Sequence, residues 1–89
     1  MEAEELLKEI KASLEIMDMY RSYGQFVVEA IEALRRLGEI VASPTEETIK
    51  EGLDIASKMH AELSPYGSYV PRVANTLDEA LKWFQEKSQ

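Results

Sequence analysis

Apolar residues recur at intervals of three and four along nearly the whole chain, and no segment alternates with the period of two that a strand needs. The pattern predicts an all-α protein, a helical bundle. Its plainest boundary is Ala42-Ser43-Pro44-Thr45-Glu46. There Ser43 can cap a helix, Pro44 suits the first helical position, and Glu46 can close a capping box onto Ser43. The helix that follows, about residues 44–63, carries Ile49, Leu53, Ala56, Met59 or His60, and Leu63 on one face. The turn formers Ser64-Pro65-Tyr66-Gly67-Ser68 end it. Pro71 opens a last helix over about residues 71–87, with Val73, Ala74, Leu77, Leu81 and Phe84 turned inward and Trp83 off that face.

Across the first 42 positions one stripe runs from Ile16 to Val41. Ile16, Tyr20, Tyr23, Val27, Ala30, Leu34, Leu37 and Val41 step by fours and threes without interruption across Gly24. Asp18, Arg21, Gln25, Glu29, Glu32, Arg36 and Glu39 keep together on the opposite side, and no capping residue or proline stands near Gly24. This phase predicts one helix over about residues 2–42, bent at Gly24. A second stripe, Ala3, Leu7, Ile10, Leu14 and Met17, lies roughly 140° around the axis at about 100° per residue. Such a helix is about 60 Å long, and two helices of under about 30 Å cover only half of it. The uncovered stripe asks for a second copy of the chain, which makes a homodimer the expected assembly. The alternative is a chain reversal near Ser22 and Gly24, giving a four-helix up-down bundle within one monomer.

Composition narrows what such a bundle does. Its 89 residues suit one domain. There is no cysteine and only one histidine, so disulfides, thiolate zinc sites and His-rich metal sites are excluded. His60 has no Cys, Ser or second His at a useful spacing. The net charge of −7 argues against a nucleic-acid ligand. Its acids sit at helix starts and in i,i+4 pairs, namely Glu4–Lys8, Glu32–Arg36, Glu46–Lys50, Asp54–Lys58 and Asp78–Lys82. Each pair supports its helix by about 0.2–0.5 kcal/mol. No apolar run is long enough to span a membrane, and Met1-Glu2-Ala3-Glu4-Glu5 is unlike a secretion signal, so a cytoplasmic protein is expected.

Three constellations carry possible chemistry. Glu29-Ala-Ile-Glu32 and Glu51-Gly-Leu-Asp54 place paired carboxylates one turn apart on two helices, an arrangement able to hold Mg²⁺. This resembles the ExxE…ExxD pattern of the all-α nucleotide pyrophosphohydrolases of the MazG type. The resemblance implies Glu29, Glu32, Glu51 and Asp54 as metal ligands and hydrolysis of a nucleoside triphosphate. Leu34-Arg-Arg-Leu37-Gly38-Glu39 resembles the BH3 helices that dock into grooves of Bcl-2-like proteins. That likeness implies Leu34, Leu37 and Val41 as anchors, with Glu39 in place of an aspartate. Finally, Tyr66 and Tyr69 stand on a connection between helices, where tyrosine is a frequent partner contact. The leading expectation is a non-enzymatic protein–protein interaction module acting as a homodimer, with no catalytic residue and no cofactor. Its interaction residues are Ile16, Tyr20, Tyr23, Val27, Leu34, Leu37, Val41, Tyr66 and Tyr69.

Overall fold

In the computed structural model, which describes residues 1–89, the chain forms four α-helices and no strand. α1 spans Ala3–Asp18, α2 Gln25–Ala42, α3 Glu46–Leu63 and α4 Pro71–Lys87. Single 3-10 turns, Arg21–Tyr23 and Ser64–Tyr66, follow α1 and α3. The continuous helix expected over residues 2–42 is not formed. The molecule measures 36 × 21 × 19 Å along its principal axes, too short for a rod of about 60 Å.

The reversal has an identifiable cause. Beyond Asp18 the amides of Met19 and Tyr20 bond back to Ile16 and Met17, and that of Tyr23 to Tyr20, tightening the chain into 3-10 geometry. Gly24 then takes φ 158° and ψ 168°, a region that side-chain-bearing residues rarely enter, and itself serves as the N-cap of α2. That is why no serine, threonine or aspartate marks the start of α2. The apolar spacing crosses the turn unbroken because Tyr20 and Tyr23 belong to the turn, their rings meeting edge to face at 5.3 Å.

With two helices in place of one, both stripes are covered within the monomer except at Tyr23, which stays exposed. α2 buries Val27, Ala30, Ile31, Leu34, Leu37, Ile40 and Val41. α1 buries Leu6, Ile10, Ser13 and Met17, while Ala3, Leu7 and Leu14 pack half-buried at its flank. The rotation between the stripes is the rotation between two separate helices, each facing a common core.

α3 begins at Glu46, two residues later than expected, and its cap is Thr45 rather than Ser43. Thr45 Oγ1 accepts from the Thr48 amide at 3.1 Å, and Thr48 Oγ1 accepts from the Thr45 amide at 2.8 Å. Pro71 does open α4. Its buried face is Val73, Thr76, Leu77, Ala80, Trp83 and Phe84, with Ala74 and Leu81 only half-buried. Trp83 is thus a core residue, against the sequence expectation; its ring meets Phe84 edge to face at 5.0 Å. Phe84 fills the space over Gly52, where an added Cβ would overlap its ring. Nineteen apolar residues join in one core, and the radius of gyration of 12.0 Å matches the roughly 12 Å of a compact chain this long.

Candidate functional site

Apolar side chains left outside this core are not scattered. Besides Met1, the large hydrophobic residues that remain exposed are Met19, Tyr23, Phe26, Tyr66 and Tyr69. All five stand at one end of the bundle, where α1 passes into α2 and α3 passes into α4. Tyr20 joins them, so this end holds all four tyrosines of the chain.

These residues surround a cavity of about 280 Å³. Met17, Val27 and Leu63, each buried, form its floor, and Val70 closes one side. Tyr20, Tyr23, Phe26, Tyr66 and Tyr69 make its walls and rim, with Phe26 stacked on Tyr66 at 5.6 Å. Every lining residue is apolar or aromatic. Tyr23 and Tyr69 protrude, 74% and 79% exposed, and no tyrosine hydroxyl bonds to another side chain. Both turns owe their position to the hairpins. Each places a tyrosine where a helix has stopped and the chain is turning back, so the ring lies across the bundle end.

A second, larger hollow of about 610 Å³ runs from this end along the seam between α2 and α3. Phe26, Leu63 and Tyr66 are common to both hollows. The rest of the groove is small or pliable, with Ala30 and Ala33 on α2 facing Ile55 and Met59 on α3. Its charged rim is Glu29, Lys58 and Glu62, none of which forms an ion pair. At the far end Arg36 of α2 spans to α3, giving Nε to Glu51 Oε2 at 2.6 Å and Nη2 to Glu51 Oε1 at 2.8 Å. This fork holds the Glu51 carboxyl below the usual glutamate range, chiefly through its hydrogen bonds.

The expected site residues divide sharply. Tyr20, Tyr23, Val27, Tyr66 and Tyr69 are brought together around the cavity. Leu34, Leu37 and Val41 are sealed in the core and offer nothing to a partner, which also withdraws the anchors of the BH3-like pattern. Ile16 is half-buried against the core. Glu29, Glu32, Glu51 and Asp54 are all exposed, and no three acidic or histidine side chains converge on a point that could hold a metal ion. Glu51 is engaged by Arg36, and Glu39 bonds the same arginine at 3.1 Å. Of the five i,i+4 pairs, Asp78–Lys82 closes at 3.2 Å, while Arg36 reaches Glu39 and Glu51 instead of Glu32. His60 lies 3.5 Å from Asp78 on the surface of the second hairpin.

Phe26 was missed from sequence because it lies off the α2 stripe, as was the whole α2–α3 groove. One signal was available: Tyr20-Arg-Ser-Tyr23 is repeated as Tyr66-Gly-Ser-Tyr69. The second copy follows a plain turn, so the first marks one too. The fold and this surface define a small four-helix bundle with an aromatic end. Comparison of the chain with protein-family models, curated proteins and solved structures yields no match.

Proposed function

We propose that the protein is a non-enzymatic interaction module whose partner-binding surface is the tyrosine end together with the groove between α2 and α3. The observation that carries this reading is the gathering of the exposed large apolar side chains, Met1 apart, around one unfilled apolar cavity. A small domain gains nothing in stability from aromatic rings held in water, and contiguous exposed apolar surface of this kind marks a place where something docks. Tyrosine suits a protein partner. It gives a large contact area at little entropic cost and keeps a hydroxyl for the wet rim.

From Val27 to Val41 the stripe that first suggested a homodimer lies inside the monomer, so the case for self-association no longer rests on a long uncovered helix face. The charge points elsewhere. A second copy would bring another −7 to the contact, whereas the groove rim, with the free carboxylates of Glu29 and Glu62 against the single free lysine Lys58, carries a net negative charge that favours a basic segment. The partner inferred is a different protein, offering an apolar anchor flanked by lysine or arginine.

N-acetyl-tryptophanamide, an isolated uncharged anchor, tests this directly. In an NMR titration it should move the ring resonances of Tyr20, Tyr23, Phe26, Tyr66 and Tyr69 and leave those of Trp83 and Phe84 in place. Unmoved tyrosine signals at saturating probe would refute the reading. Light scattering over the same concentrations should give a 10 kDa particle. A dimer that dissociates on Tyr23→Ala would transfer the surface to self-association.

A further inference from the structure

The two hairpins, α1–α2 and α3–α4, repeat one another at a shift of 46 positions, the separation of Tyr20 from Tyr66. Under that shift the buried residues Leu6, Ile10, Ser13 and Met17 of α1 fall on buried Gly52, Ala56, Met59 and Leu63 of α3. On the second helices, Val27, Ala30, Ile31, Leu34 and Leu37 fall on Val73, Thr76, Leu77, Ala80 and Trp83, again all buried. Nine of the eleven buried positions in each hairpin therefore coincide. The exceptions are mild: Ile49 and Phe84 answer to half-buried Ala3 and Gly38, and Ile40 and Val41 to Glu86 and Lys87 at the fraying end. Two amphipathic hairpins can agree in phase along one helix by accident. Agreement along both helices, across turns of six and seven residues and like sequence that keep the same spacing from Met17 to Val27 as from Leu63 to Val73, is what a shared plan produces.

The cavity lies across this relation. Met17 and Leu63, Tyr20 and Tyr66, and Tyr23 and Tyr69 are three equivalent pairs among its nine lining residues. We infer that the chain is a duplicated helical hairpin, and that the tyrosine cavity is one composite site to which both copies contribute matching walls. The composite site rests on the interaction reading above; the duplication does not. The occupant is a single apolar side chain of a partner protein, gripped from both sides by equivalent tyrosines. The walls match, the volume of about 280 Å³ is roughly twice that of an apolar cavity known to take benzene, and no polar group lines it.

Two experiments on the full chain separate the claims. A linker of three residues joining Gln89 to Met1 would make the spacing from each tyrosine turn to the next 46 in both directions around the circle. With the chain so closed and reopened between Ser43 and Pro44, the permutant should unfold cooperatively, with a melting midpoint within about 5 °C of the parent. A permutant that fails to fold, or folds only with a much longer linker, overturns the duplication whatever the cavity binds. For the composite site, Tyr23→Ala and Tyr69→Ala should each weaken N-acetyl-tryptophanamide by about 3- to 10-fold and by factors within about twofold of each other. Both positions are exposed, so folding is not at stake. Loss on one side only overturns the composite site and leaves the interaction reading standing; no binding by the parent removes both.

Discussion

The seam between α1 and α4 and the seam between α2 and α3 occupy equivalent places in the two-hairpin plan, yet they are finished in opposite ways. On the first, Arg72 gives Nε to Glu9 Oε2 at 3.0 Å, and Ser13 donates at 2.9 Å to Thr76, whose own hydroxyl donates at 2.9 Å to the Arg72 carbonyl. Positions equivalent to Glu9, Ser13, Arg72 and Thr76 on the second seam hold Ile55, Met59, Phe26 and Ala30. All four polar residues of the closed seam are apolar in the open one, and there the groove of about 610 Å³ is found. A buried hydroxyl pair fixes one geometry because each group is costly when unpaired. Alanine, isoleucine and methionine fix none, and methionine in particular adapts to what lies against it. The difference teaches that one seam is pinned by polar contacts while the other is left with a groove.

Equivalence of the hairpins is tested hardest at Gly52. The second hairpin pairs a glycine on its first helix with Phe84 on its second, whereas the equivalent positions of the first hairpin are Leu6 and Gly38. Gly52→Leu alone drives a side chain into the Phe84 ring, and Phe84→Gly alone empties the core. Each should cost at least about 3 kcal/mol in urea unfolding. The double variant copies the first hairpin and should recover more than about 1 kcal/mol of the summed loss. Strict additivity would mean that the two hairpins do not share a packing plan.

The closed seam is next. Thr76→Val strands the Ser13 hydroxyl at a site with no exposure, and should lower stability by about 1–3 kcal/mol. Adding Ser13→Ala removes the stranded group and should return part of that loss. A Thr76→Val variant as stable as the parent would mean the hydroxyl pair does not hold the seam.

How much of this was legible beforehand turns on particular residues. The helical character, the boundary near Pro44 and the start of α4 at Pro71 are carried by local chemistry that sequence displays directly. The reversal before Gly24 is not. Its stripe ran on in phase because Tyr20 and Tyr23 are apolar for the sake of the bundle end, and spacing alone cannot distinguish a ring in a turn from a ring on a helix. The change of stripe between Ile10 and Val27 was the better witness, since one straight helix has no reason to bury two different faces. The tyrosine residues were foreseen as contacts, but their convergence depends on two turns meeting in space. Phe26 and the α2–α3 groove depend on which residues fail to fill a seam, which no single-chain periodicity records.

Converting the open seam into the closed one is a milder change in stability, and its larger expected effect is on binding of the probe. Phe26→Arg with Ile55→Glu installs the counterparts of Arg72 and Glu9 at exposed and half-buried positions. The fold should tolerate this to within about 1 kcal/mol, since an exposed ion pair contributes little. Binding of N-acetyl-tryptophanamide should nonetheless fall, because the cavity loses its Phe26 wall. Unchanged binding would place the docking surface elsewhere.

The smallest effect is electrostatic and compares the two arginine forks, Arg72–Glu9 across α1 and α4 and Arg36–Glu51 across α2 and α3. In both, hydrogen bonds from the arginine are the main cause that holds the glutamate carboxyl below its ordinary range. A carboxyl depressed in the folded state supports folding above the ordinary glutamate range, and that support is lost as the pH falls through the depressed value. Urea midpoints followed from about pH 6 to about pH 2 should therefore drop for the parent, and less steeply for Arg72→Gln or Arg36→Gln. Both forks lie at the surface, so the flattening should be slight and should shrink further in high salt. The two variants should differ in one respect. Arg36→Gln loosens the far end of the open seam and should weaken binding in the groove modestly. Arg72→Gln, with the Ser13–Thr76 pair still closing its seam, should leave binding in the groove unchanged. Equal effects of both variants on binding would erase the distinction between the seams.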